Sequence, residues 1–171
     1  MAPFNQEEIK QERLDWTILR DGGIYLYLRE GFLLKDLKEL TDFGYTSISF
    51  DCGTWKTSEQ MHLSFQNLLR VPCDYYGKNL DALNDCIQKD IVVPDPGGMA
   101  IVLRNADRHP DREVLRKVLS IFARASRHHM LTGHRLITLI QTNNPRESFD
   151  SLACVGARWN HREWLIKARG L

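Results

Sequence analysis

The sequence has no apolar run near the eighteen or so residues that a membrane-spanning helix requires. Its start, "MAPFNQEEIKQERLDW", lacks the basic-then-apolar pattern of a secretory signal, which predicts a cytoplasmic chain intact from residue 1. Cysteine is sparse: Cys52, Cys73, Cys86 and Cys154 show no paired spacing, which argues against a disulfide framework and against a structural zinc site. The histidines, His62, His109, His128, His129, His134 and His161, fall in no metal-ligand motif. No nucleophile or cofactor signature accompanies the carboxylates. These absences predict a protein with no cofactor, no metal and no catalytic activity, and they leave binding as the expected role.

A strong charge of either sign is also missing. The formal net charge is +1, which excludes a wholesale polyanion binder. The distribution is uneven, however. Residues 71–98 hold five Asp against two Lys, whereas residues 124–171 hold eight Arg or Lys against three Asp or Glu. This pattern suits an acidic patch that faces a basic partner and a separate basic surface near the C-terminal end.

A chain of 171 residues can bury one main core. The pattern predicts an N-terminal accessory segment over 1–44, a central α/β domain over 45–142 and an extension over 143–171. Residues 1–13 are polar and are expected to form a frayed helix or tail. "WTILRDGGIYLYLREG" reads as two short strands around an Asp-Gly-Gly turn, with Tyr25 and Tyr27 on one face and Ile24 and Leu26 on the other. "FLLKDLKELTDFG" has helical spacing, and Gly44 can stop it. "YTSISF" is a β-run. Thr57 and Gln60 resemble a capping box opening a helix whose apolar stripe is Met61, Phe65, Leu68 and Leu69, with Pro72 marking its end. "MAIVLRN" and "RLITLIQT" are compact strands, the second apolar enough for a sheet interior. Between them, residues 111–129 form an amphipathic helix with Arg112, Arg116, Lys117 and Arg124 mostly outward. A short helix around residues 162–168 is expected to cover Trp159 and Trp164. The order strand, helix, helix, strand, helix, strand predicts a three-stranded parallel sheet packed with helices, extended by an N-terminal β-hairpin and helix.

The segment "VPCDYYGKNLDALNDCIQKD", residues 71–90, stands apart. On a helix over 79–89, Leu80, Leu83 and Ile87 share the core face. Asp81 and Asp85 lie on the opposite side, one turn apart, with Asn84 and Gln88 at their flank. Asn79 suits the N-cap, and Gly77 suits a sharp approach. Two interpretations are open from the residues alone. The aspartates are solvated surface groups with Tyr75 and Tyr76 as packing residues, or carboxylates and tyrosines together grip a cationic surface.

The run Tyr-Tyr-Gly-x-Asn-Leu-Asp-Ala-Leu-x-Asp, followed in order by "MAIVLRN", "VLRKVLSIFARA" and "RLITLIQT", resembles the barstar family of intracellular inhibitors of secreted ribonucleases over about residues 46–142. The resemblance implies a non-catalytic inhibitor, in an immunity-type role, that occludes the basic active-site cleft of a ribonuclease or nuclease-type toxin. It implies that Asp85 is the dominant acidic contact, Asp81 the second carboxylate and Tyr75 the aromatic lying against the enzyme. Tyr76, Gly77, Asn79, Asn84, Gln88 and Arg124 complete the implied partner surface. The sequence also departs from the family pattern. Asn84 and Asp90 stand where the family has tryptophan, Gln88 where it has threonine, and Arg124 where the third helix contributes a glutamate. The expected partner is therefore not the family's standard ribonuclease but a differently shaped nuclease or another toxin, with loss of nuclease binding as a further alternative. Two other functions remain to be weighed. One is a barstar-like module for a protein that is not a nuclease. The other is direct RNA binding through Arg158, His161, Arg162, Lys167 and Arg169 interleaved with Trp159 and Trp164, against which packed tryptophans and solvated cations are the favoured alternative.

Overall fold

The computed structural model describes residues 2–70, 76, 78–153 and 155–171. The chain forms α1 (Gln6–Lys10), α2 (Leu14–Arg20), β1 (Ile24–Tyr27), α3 (Glu30–Asp42), β2 (Tyr45–Asp51) and α4 (Ser58–Leu68). It continues with α5 (Leu80–Lys89), β3 (Gly98–Arg104), α6 (Arg112–Leu131), β4 (Leu136–Gln141) and β5 (Arg158–Trp159). The strands make one sheet in the order β2-β3-β4-β1-β5, and every pairing is parallel.

Alternation along the strands divides the interior into two cores. On β1, Ile24 and Leu26 join β3 residues Met99, Ile101 and Leu103 beneath α4, α5 and α6. Tyr25 and Tyr27 point the other way, with Ala100, Val102, Ile137 and Leu139, and are covered by α2 and α3. All six residues of β4 are buried because it lies between β3 and β1 with helices on both faces. The apolar run "LITLIQ" therefore predicts its interior position correctly.

The N-terminal hairpin is not formed. Residues 14–20 are helical, Asp21 closes that helix, and Gly22 and Gly23 at φ +109° and +83° turn the chain into β1. β1 then enters the sheet parallel to β4, with Ile24 opposite Thr138. A hairpin needs two half-buried strands. Here the apolar residues before the turn, Leu14, Ile18 and Leu19, recur with helical spacing and pack as one helix stripe. Among the described residues the sheet has five strands: the expected parallel three, β2, β3 and β4, extended by β1 and β5 in place of a hairpin.

Three smaller expectations also change. The N-terminal segment is a capped helix, in which Asn5 and Glu8 form a reciprocal capping box. On α4, Met61, Phe65 and Leu69 are buried but Leu68 is exposed. The C-terminal segment forms a single 3₁₀ turn, residues 166–169, and Trp164 remains 62% exposed. That segment is nonetheless tied to the body through Glu163. Its buried carboxylate accepts N–H bonds from Leu28 and Arg29 at the N-terminal end of α3 and from Asn160 Nδ2 at 2.6 Å.

Candidate functional site

α5 is positioned from both ends. At its start the Asn79 side chain accepts the Ala82 N–H at 2.8 Å, the expected N-cap. Along its inner face Leu83, Cys86 and Ile87 are buried, and Leu80 is partly buried against the same core. At its end, the last carbonyls of a helix have no intrahelical donor. The N–H groups of Asp90 and Ile91 serve Cys86, and His129 of α6 serves Ile87, its Nε2 lying 2.8 Å from the carbonyl oxygen. His129 is buried, and it fastens α5 to α6. Burial, opposed by the Ile87 bond and reinforced by His128 and His134, holds its pKa below the ordinary value.

Tyr75 and Gly77 lie outside the described residues. Tyr76 points inward. It is 4% exposed, and its hydroxyl meets His62 Nδ1 at 2.5 Å, so α4 anchors the approach to α5. On the outer face, Asp81 is exposed and Asp85 is half-exposed, its side chain 47% accessible. Lys89 lies 3.8 Å from Asp85. Such an exposed pair contributes little, so the Asp85 carboxylate is available to another cation. Asn84 is the hub of this face: its Oδ1 accepts from Gln88 Nε2 at 2.8 Å and from Arg124 Nη1 of α6 at 3.4 Å. Asp81, Asn84, Asp85, Gln88 and Arg124 are thus brought to one surface by two helices.

Behind this surface runs a cleft of about 430 Å³ between α5 and α6. Asp81 and Asn84 line one side, and Arg116, Lys117 and Arg124 the other, with Ser151 from the C-terminal extension at its edge. The extension follows α6, with Arg112 bonded to Glu147 and Ser148 and Arg127 to the Ala153 carbonyl. The sequence marked Arg116 and Lys117 as outward but gave no sign that they share a cleft with Asp81. Ser151, 34 residues beyond Lys117, carried no signal at all.

The chemistry available here is electrostatic contact. Burial first, then Asp90 and Asp85, pushes the Cys86 thiol up to about 11, which keeps it protonated and inert as a nucleophile near neutral pH. Cys52 is raised to about 12 by burial first and then Asp51. Among the described residues no cluster of His, Cys, Asp and Glu is arranged to hold a metal ion. None of their helices is long and apolar enough to cross a membrane.

Two cations of the basic C-terminal cluster are engaged within the fold, while Arg158, His161 and Lys167 are exposed. Arg162 binds the buried Asp36 at 2.6 Å, and Arg169 lies over Trp159 while donating to the carbonyls of Pro145, Glu163 and Trp164. Trp159 is half-buried, as expected, whereas Trp164 is not covered.

The model of the family described as barstar (barnase inhibitor) matches residues 45–141, more than half of the chain. No curated protein matches the sequence. Among solved structures, a chain in the structure of Drosophila ORC bound to AT-rich DNA and Cdc6 is similar, with 17% identity and a TM-score of 0.50. That match covers 81% of this chain and 47% of the other, and at such identity it speaks to the fold alone.

Proposed function

This chain belongs to the barstar family, and from that premise we propose that it is a non-catalytic inhibitor that occludes the basic active-site cleft of a ribonuclease or nuclease-type toxin. The family consists of non-catalytic inhibitors, and the role that membership supports at the coarser level is protein binding. In the finer proposal, Asp81 and Asp85 on the outer face of α5 take the positions that RNA phosphates occupy in the enzyme. A cleft evolved to hold phosphate holds carboxylates by the same charge-assisted hydrogen bonds. Asn79 and Tyr76 set the helix, Tyr75 and Gly77 are partner contacts, and Asn84, Gln88 and Arg124 fill the flank. Residues 45–142 act as the binding unit, and the flanking segments buttress it.

The observation that carries this proposal is the coincidence of the family match with an α5 whose inner face is locked and whose outer face presents two carboxylates that have no strong internal partner among the described residues. Rigid presentation lowers the ordering cost of association. A second function, a barstar-like module for a partner that is not a nuclease, is favoured by Asn84 and Arg124, which replace an aromatic and an acid of the family pattern with a polar hub and a cation.

Affinity capture with the full chain beside Asp81→Ala and Asp85→Ala variants tests the proposal. A bound protein that is lost with both substitutions identifies the helix as the interface. Ribonuclease activity in that protein, suppressed when the chain is added back, supports nuclease inhibition; a captured partner without nuclease activity supports the second function.

A further inference from the structure

We propose that the contact surface has two poles: the α5/α6 cleft seats a carboxylate of a protein partner beside the partner cation held by Asp81 and Asp85. The inference rests on α5 being the contact helix. Arg116 and Arg124 are eight residues apart on α6, and Lys117 and Arg124 seven apart, so all three project along one stripe into the cleft. Their charges are weakly compensated. Among the described residues Arg116 pairs only with Glu113, at 3.5 Å, and both side chains are exposed. Arg124 meets the neutral Asn84 amide, and among the described residues no ion pair engages Lys117 or Arg124. Asp81 forms part of the opposing wall.

A nucleic-acid strand is a poor complement to this surface. Its closely spaced phosphates that met the α6 cations would bring their neighbours against Asp81 and Asp85. A single partner carboxylate avoids that repulsion. Asn84 joins the poles: it is bonded to Arg124 and lies next to Asp85 in the chain and one turn from Asp81. The complementary partner face therefore carries an acid and a base about one helical turn apart, on the order of 5–6 Å. The same stripe of cations rejects a uniformly basic cleft, so Arg116, Lys117 and Arg124 select the partner while Asp81 and Asp85 bind it.

The test uses the full chain and four fluorescent probes in 50 mM salt: helical peptides of equal length bearing alternating Glu and Arg one turn apart, Arg alone or Glu alone, and an oligouridylate. The mixed peptide is expected to bind at least about fivefold more tightly than either single-sign peptide, the scale of one ion pair. Lys117→Glu with Arg124→Glu should remove that preference and raise affinity for the all-Arg peptide, and Asp81→Asn with Asp85→Asn should weaken both. Circular dichroism melting checks that these surface variants fold. Equal binding of mixed and all-Arg peptides, or no response to the α6 double variant, overturns the two-pole inference while the acidic-helix proposal stands if the Asp variants still lose binding. Tightest binding by oligouridylate overturns it in favour of a nucleic-acid cleft. Insensitivity to both double variants overturns the inference and the proposal on which it rests.

Discussion

His129 Nε2 lies 2.8 Å from the carbonyl oxygen of Ile87, so a buried imidazole on α6 completes the hydrogen bonding of the last turn of α5. A carbonyl only accepts, which fixes Nε2 as the protonated nitrogen. His129→Leu leaves that carbonyl unpaired and should cost about 1–3 kcal/mol. Urea unfolding at pH 7.5 measures the loss.

Burial of the same imidazole, not its bond to Ile87, gives the protein a pH dependence. Burial lowers the folded-state pKa of His62 and His129, and of His109 against the opposing pull of Asp111. An imidazole with a lowered folded pKa binds its proton more readily when unfolded. Its contribution to stability is complete above the unfolded value, about 6.5, and is lost as pH falls below it towards the folded value. Unfolding free energy should therefore fall between pH 7.5 and 5.5. In that window His129→Asn should give a shallower slope than the wild type.

Glu163 predicts a strong coupling between the C-terminal segment and the junction of β1 with α3. Its fully buried carboxylate serves the Leu28 and Arg29 amides and Asn160. Glu163→Ala should destabilise the chain by about 3 kcal/mol, because several buried donors lose one acceptor together. Glu163→Gln, which keeps one oxygen acceptor, should cost less. Thermal unfolding of the two variants should separate them clearly.

Much of this was legible from the sequence, for physical reasons. Buried parallel strands read as continuous apolar runs, which exposed β3 and β4. The Asn79 cap and the apolar spacing of Leu83 and Ile87 fixed α5. The hairpin prediction failed because Asp-Gly-Gly serves a helix exit as well as a strand turn, and only the packing of Ile18 and Leu19 distinguishes them. The cleft was hidden because it joins Asp81, Arg124 and Ser151, which are close only after α5, α6 and the extension pack together.

Two glycines of different surroundings should respond oppositely to the same change. A Cβ at Gly97 would fall 1.9 Å from the Gly44 carbonyl oxygen, so Gly97→Ala forces two backbone segments apart and should cost at least about 2 kcal/mol. Gly31 lies in the first turn of α3 with open space around it, and Gly31→Ala should be neutral or stabilise by up to about 1 kcal/mol. Melting temperatures should move down for the first and hold or rise for the second.

The central claim is that the outer face of α5 is the contact surface. Its most direct test is the affinity of the captured partner for the full chain, measured by titration calorimetry beside Asp85→Ala and the Asp81→Ala, Asp85→Ala double variant. Loss of a charge-assisted contact predicts at least about tenfold weaker binding for the single change, or about 1.4 kcal/mol, and a further loss for the double. Undiminished affinity in the folded double variant would contradict the account.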